Sequence, residues 1–261
     1  MELTDVRYDN TEGIATITID RPERMNAFTA HTVDELIRCV KTAWADPSVG
    51  VLILTGAGDR AFCTGGDQKQ RAETGDYGPS STGLFEVEAL HRAIRDCPKP
   101  VIAAVNGYAI GGGQVLHVVC DLTIASSSAR FGQVGPRVGS FDAGFGSAYL
   151  ARIVGEKRAR EIWFLCRQYT AEQMQDWGLV NAVVAPDRLM DEARAWAKEI
   201  LTKSPTAIAF LKHSFNADSE SIAGIGAMSF AALQRFVRTE EAAEGVRAFT
   251  EKREPDFGPY R

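Results

Sequence analysis

Apolar residues recur along this chain in two kinds of run, one alternating or unbroken and the other spaced near 3.6. Leu3 to Tyr8 and Ile14 to Asp20 alternate or run apolar around Asp9-Asn10-Thr11-Glu12-Gly13, which predicts a β-hairpin. From Asn26 to Asp46 the residues Val33, Leu36, Ile37, Val40 and Trp44 take helical spacing. Val49 to Thr55 is a short β-branched run ending in Gly56-Ala57-Gly58, so it reads as a buried strand entering a loop. Leu84 to Arg95 is helical again, Pro98-Lys99-Pro100 stops it, and Val101 to Val105 predicts the next buried strand. A glycine turn, a helix over Gly113 to Val119 and a strand over Leu122 to Ala125 repeat the order. Strand, crossover helix and strand in succession imply a layered α/β core.

From about Glu156 the pattern becomes almost wholly helical. Helices are expected over Glu156 to Cys166, Ala171 to Trp177, Asp187 to Leu201 and Pro205 to Phe215. Ser221 to Phe236 and Glu240 to Lys252 follow, after a short strand at Val180 to Val184. The expected organisation is an α/β core over residues 1–195 and a helical region over 196–261. Apolar stripes on those late helices cap the core or bury against other subunits; the pattern allows both. Gly75 to Gly83 is the most polar stretch, a surface loop or an active-site lid.

Composition narrows the function classes. With 261 residues, 45% of them hydrophobic, the chain can bury a full core. No apolar stretch approaches the ~20 residues of a membrane helix. The N-terminus lacks the basic-then-apolar run of a secretory signal, so a cytoplasmic protein with no membrane partner is expected. Cys39, Cys63, Cys97, Cys120 and Cys166 form no C-x-x-C pair, and the four histidines are scattered. Neither a disulfide framework nor a metal site is suggested. A net charge of −5 carries no nucleic-acid footprint, so any polyanionic ligand must be met by a few placed cations.

Two glycine turns depart from what core-building requires. Ala61-Phe62-Cys63-Thr64-Gly65-Gly66-Asp67-Gln68 follows one buried strand, and Gly107-Tyr108-Ala109-Ile110-Gly111-Gly112-Gly113-Gln114 follows the next. Neither has phosphate-loop or dinucleotide spacing. As a pair after successive strands they could aim two backbone donors at one oxygen, as an enolate or tetrahedral oxyanion requires. The second would also put N–H groups at a helix N-terminus, where negative charge is stabilised.

At these residues the chain resembles the enoyl-CoA hydratase/isomerase (crotonase) superfamily. The resemblance runs nearly end to end, through Arg21-Pro22, Asn26-Ala27-Phe28, the Phe62 to Asp67 turn and Pro98 to Ala103. It continues through Gly107 to Gly113, Cys120-Asp121, Phe131-Gly132-Gln133 and Gly178-Leu179-Val180. It implies an α/β fold, a crotonase-like spiral of ββα units, with C-terminal helices that build homotrimers or hexamers. It implies that Gly66 and Gly112 N–H groups polarise a thioester carbonyl, and that no cofactor is required, since CoA is part of the substrate. Arg24, Met25, Ala27, Thr64, Gly65, Asp67, Gln68, Ile110, Gly111 and Lys252 hold substrate- or CoA-binding positions, with Arg24 and Lys252 as the cations.

The family's hydratases move protons with two glutamates. One position is Val115 here and the other, ending Phe131-Gly132-Gln133-Val134-Gly135, is Gly135. Valine and glycine cannot move protons, so simple hydration is disfavoured. The run to Gly146, with Ser140 and Asp142, looks like two subfamilies that work on a carbon–carbon bond beside the thioester. These are 2-ketocyclohexanecarboxyl-CoA hydrolase, placed first, and 1,4-dihydroxy-2-naphthoyl-CoA synthase, placed second. Hydratase or isomerase action on an unusual substrate and non-catalytic acyl-CoA binding are the further alternatives. Asp142 is expected as the base or water activator, Ser140 as a hydrogen-bond partner and Tyr77 as a donor to a ring ketone or enolate. A bicarbonate or water niche is expected near Gln133, Val134 and Gly135. The subfamilies' C-terminal tyrosine is replaced by Val237.

Overall fold

The structure, a computed structural model, describes residues 2–261. Strands β1 (Val6–Thr11) and β2 (Ile14–Ile19) form the expected hairpin, paired from Val6 with Ile19 to Thr11 with Ile14. The expected five-residue turn shrinks to Glu12 and Gly13, both left-handed with φ of 54° and 82°. Two such residues match the twist of the flanking strands, so β1 keeps its ladder through Thr11. Helix α1 (Ala30–Ala45) starts at Ala30 rather than Asn26, because Asn26 is itself left-handed and buried. The Asn26 side chain accepts from Arg21 N–H and donates to the carbonyls of Ala57 and Ala61. Thr29 then caps α1 in a reciprocal box with Thr32.

Three turns of a spiral follow, each a long strand, a short strand and a helix. The first is β3 (Val51–Gly56), β4 (Ala61–Cys63) and α2 (Gln68–Thr74), after which α3 (Val87–Asp96) leads on. The second is β5 (Val101–Val105), β6 (Tyr108–Ile110) and α4 (Gly112–Val119). The third is β7 (Leu122–Ser126), β8 (Arg130–Gly132) and, past a π-helical segment at Gly144–Tyr149, α5 (Leu150–Val154). Next come α6 (Glu156–Leu165), β9 (Tyr169–Thr170), α7 (Ala171–Asp176) and β10 (Ala182–Val184).

The long strands make one sheet in the order β1-β2-β3-β5-β7-β10, parallel from β2 onward. The short strands make a second sheet, β4-β6-β8-β9. Strands of three residues are too short for any period to show, so the apolar pattern alone does not single them out.

Every residue of β3 is buried, as in a parallel sheet covered on both faces. Helix α8 (Leu189–Leu201) lays Leu189, Ala193 and Ala197 on one face, in a cluster with Val51, Ile53 and Ile102. The other face packs against α1 and α3 through Leu36, Val40, Leu90 and Ile94. Residue 195, where the core was expected to end, lies inside α8.

Helices α9 (Pro205–Ala217), α10 (Glu220–Phe236) and α11 (Glu240–Glu251) complete the chain. α10 crosses the π-helical segment so closely that a Cβ on Gly144 would lie 2.6 Å from Gly226 Cα. Phe210, Phe215 and Met228 on α9 and α10 point outward, each at least 67% exposed. Among the described residues no helix is long and apolar enough to cross a membrane. No group of three or more His, Cys, Asp or Glu among them could hold a metal ion.

Candidate active site

Strands β4 and β6 lie side by side and parallel, Cys63 beside Ala109, so both glycine turns leave the second sheet at the same end. Gly65 (φ 83°) and Gly111 (φ 58°) take left-handed backbone that admits glycine best. The turns touch: a Cβ on Gly65 would lie 2.8 Å from Gly112 N. Phe28 N–H donates to Gly65 O at 2.8 Å and Asp67 N–H to Phe28 O at 2.9 Å, so the bridge between the segments bypasses Gly66 N–H. Gly111 N–H is spent on Gly132 O at 2.9 Å. Gly112 opens α4, so its N–H is one of the helix's free amide donors. Among the described residues neither Gly66 nor Gly112 N–H donates a hydrogen bond, and both glycines line one cavity. The arrangement offers two preorganised donors, one at a helix N-terminus, to an oxygen gaining negative charge.

That cavity is small, about 90 Å³. Tyr77, Gln133, Gly135, Ser140 and Asp142 all line it, as do Gly65 and Gly111. Asp142 Oδ1 accepts from Gly144 and Gly146 N–H at 3.1 Å each, and among the described residues Oδ2 takes no hydrogen bond. Gly146 must be glycine for this, since a Cβ there would sit 2.9 Å from Asp142 Cγ. Burial raises the Asp142 pKa above the usual aspartate value; the two amide donors oppose the rise and Glu88 adds to it. A carboxylate so placed is half held and half available, as a proton acceptor needs.

The Tyr77 ring lies over Gly66, where a Cβ would come within 2.3 Å of it, and stacks at 4.5 Å on Phe85. Its loop is tied to α1 by Ala30 N–H to Tyr77 O and Ser81 N–H to Asp34. The polar stretch is therefore folded against the site rather than lying free on the surface.

A wider groove of about 770 Å³ opens from the cavity and shares Thr64, Gly66, Gln68 and Val134 with it. Arg24, Met25, Ala27, Asp67, Ile110 and Lys252 line this groove. Asp67 caps α2 through Lys69 and Gln70 N–H and meets Arg21 at 3.1 Å, so it shapes the turn. Arg24, Lys69 and Lys252 bring three cations to the groove without a carboxylate partner among the described residues, whereas Arg137 and Arg253 are paired with Glu254 and Glu244. Lys252 sits left-handed at the end of α11, so the last helix closes one wall.

At the two hydratase positions the structure has nothing that titrates. Val115 is buried in the core and lines neither cavity. A Cβ on Gly135 would lie 2.7 Å from Ser140 O and 2.9 Å from the Trp163 ring, so a glutamate has no room without moving one of them. His117 is a core residue, with Nδ1 3.3 Å from Thr123 Oγ1 and its ring against Phe131.

Sequence reading missed much of the small cavity's wall. Phe28, Phe85, Phe141 and Phe230 come from four separate segments and read as ordinary core residues. His91, given no role from sequence, also lines this cavity. Lys69 and Arg137 were the legible omissions in the groove, since each is a cation beside a singled-out turn.

Comparison with known proteins agrees with this geometry. The family described as enoyl-CoA hydratase/isomerase matches residues 9–259. The protein EchA1_1 of Mycobacterium paratuberculosis is 30% identical over 99% of this chain and 100% of its own, with a TM-score of 0.88. A carnitinyl-CoA hydratase from Mycobacterium avium is 29% identical over 99% and 100%, with a TM-score of 0.85. An enoyl-CoA hydratase/isomerase from Xanthobacter autotrophicus is 31% identical over 96% and 97%, with a TM-score of 0.81. With two unspent glycine donors at the mouth of an acyl-sized cavity, and a match that spans nearly every residue, the chain belongs to the enoyl-CoA hydratase/isomerase family, the acyl-CoA enzymes of the crotonase superfamily.

Proposed function

We propose that this enzyme hydrolyses the carbon–carbon bond between the α-carbon and the ketone of a cyclic β-keto acyl-CoA such as 2-ketocyclohexanecarboxyl-CoA. The observation that carries the reading is the free Oδ2 of Asp142, in the same cavity as the Gly66 and Gly112 donors, with Val115 and Gly135 at the hydratase positions. The thioester oxygen takes the two N–H groups. Asp142 accepts a proton from water as the water oxygen attacks the ketone carbon. The tetrahedral adduct collapses to a carboxylic acid, and the electron pair of the broken bond becomes the thioester enolate, held in the hole. Asp142 returns the proton to the α-carbon, leaving a ring-opened acyl-CoA with a terminal carboxyl group. Ser140 and Tyr77 supply hydrogen bonds to the ketone oxygen.

In the groove Arg24, Lys69 and Lys252 meet the CoA phosphates. A bicarbonate is implied by resemblance alone; the Gln133 amide nitrogen, a buried donor without an acceptor, is the group that would hold it, and no step passes through it. The outward Phe210, Phe215 and Met228 fit subunit contacts in a trimer or a pair of trimers.

Incubation with 2-ketocyclohexanecarboxyl-CoA and mass analysis tests the reading. The expected product is heavier than the substrate by one water. Ring closure of succinylbenzoyl-CoA instead would move the assignment to the synthase, and brisk hydration of crotonyl-CoA would overturn the reading of Val115 and Gly135. Tight acyl-CoA binding with no turnover of any of these would favour a non-catalytic role.

A further inference from the structure

His91, on α3, lines the small cavity from the same helix face as Val87 one turn earlier. It is 1% exposed, and neither Nδ1 nor Nε2 has a hydrogen-bond partner among the described residues. Its ring is edge-on to Phe145 at 6.1 Å and tilted against Phe230 at 6.4 Å, so apolar groups flank it. Burial drives its pKa down to about 3, so at neutral pH it is uncharged and offers one N–H donor and one acceptor nitrogen. His117 is just as buried but has Thr123 beside one nitrogen and lines neither cavity. A buried polar ring left unmet opposes folding, and one that borders a ligand cavity can be met by the ligand.

We propose that His91 is a specificity residue whose neutral imidazole hydrogen-bonds an oxygen of the acyl group other than the thioester carbonyl, selecting hydroxy- or oxo-acyl thioesters over plain hydrocarbon ones. The inference rests on reading this cavity as the acyl site of a CoA-thioester enzyme. The thioester oxygen is already assigned to Gly66 and Gly112, so the imidazole is free for a second oxygen. A hydrocarbon acyl group would bury the ring with both nitrogens still unmet. Sites built to bond a substrate oxygen reject the analogue that lacks it for this reason.

The test measures equilibrium affinity, by calorimetry, for cyclohexanecarboxyl-CoA and its ring-hydroxylated derivatives, one for each ring carbon. None of these has a β-ketone, so none is consumed by the proposed cleavage. Wild type is expected to prefer one hydroxylated isomer over the plain ring by roughly 10–100-fold. His91→Leu should bring that preference close to unity while binding the plain ring at least as well, and His91→Gln should keep part of it. No preference in wild type, an unchanged preference in His91→Leu, or an equal loss for every ligand would overturn the proposal. If His91→Leu does not fold, His91→Gln carries the test through the preference ratio. Failure of the ketone-cleavage assay with this preference intact would remove the proposed reaction and leave the His91 assignment standing.

Discussion

The two glycines present unspent N–H groups to one cavity from unlike surroundings. Gly112 opens a buried helix, and the space beside it belongs to the Phe28 ring, 2.6 Å from where a Cβ would fall. Phe28 is itself core and bridged to the other turn, so nothing there can yield cheaply. Gly66 lies under the Tyr77 ring, a side chain rather than backbone, on a loop tied to α1. One donor is thus built into the framework, and the other is completed by a loop folded over it. Preorganisation here is uneven: core packing fixes the helix side, and a loop side chain covers the other.

Substitutions can break that contrast at graded cost. The largest effect is expected from Gly113→Ala, whose Cβ would sit 1.8 Å from the Cys63 carbonyl oxygen. Backbone cannot rotate away, so β4 and α4 must separate, costing about 3 kcal/mol or more. Thermal unfolding and soluble yield measure it. Gly112→Ala should lower kcat/KM by about 10²–10³ and also lower Tm, because Phe28 must move. Gly66→Ala should cost similar activity with little stability. Adding Tyr77→Ala should recover any lost stability but not the full rate, because it relieves the clash with the ring while removing a proposed hydrogen bond to the ketone.

Asp142→Asn tests the chemistry beside the hole and should lower kcat by about 10²–10⁴ with KM nearly unchanged. The pH dependence has a definite sign. Burial raises the folded-state pKa of Asp142, so the native state binds this proton more tightly than the unfolded chain does. Its contribution to stability is full below the ordinary value of about 3.9 and is lost as pH rises through the raised value. In the proposed mechanism the ionised form accepts the proton, so the acid limb of kcat/KM should lie above that ordinary value. Asp142→Asn should raise Tm at neutral pH relative to wild type, an activity–stability trade absent at either glycine.

The smallest effects belong to the groove. Lys252→Ala, Arg24→Ala or Lys69→Ala should each raise KM for acyl-CoA by about 3–10-fold, leave kcat alone and lose force at high salt, as exposed charges do. An effect of Lys252→Ala on kcat would mean that α11 shapes the hole as well as the groove.

Much of this site could be read before folding. The glycines of both turns, the titratable blanks at Val115 and Gly135, and Asp142 all follow from residue type and order. The long strands and nearly all the helices were legible because burial on a repeating face leaves a period in the chain. The three-residue strands β4, β6 and β8 were not, yet their pairing is what brings the two turns together. The start of α1 was misplaced because a buried left-handed Asn26 satisfies carbonyls at both ends of the β3–β4 connection, and no local propensity encodes that.

The sequence alone therefore determined the chemistry available: two flexible glycine turns, one unusual carboxylate, a handful of cations and no hydratase acids. Only the tertiary structure decided what those groups face. It placed Tyr77 over Gly66, closed the space at Gly135 with Ser140 and Trp163, and turned an unpartnered His91 into the acyl cavity. Residue type is written in one dimension, but the partner that satisfies a buried polar group, or leaves it for a ligand, comes from a remote segment brought near by folding.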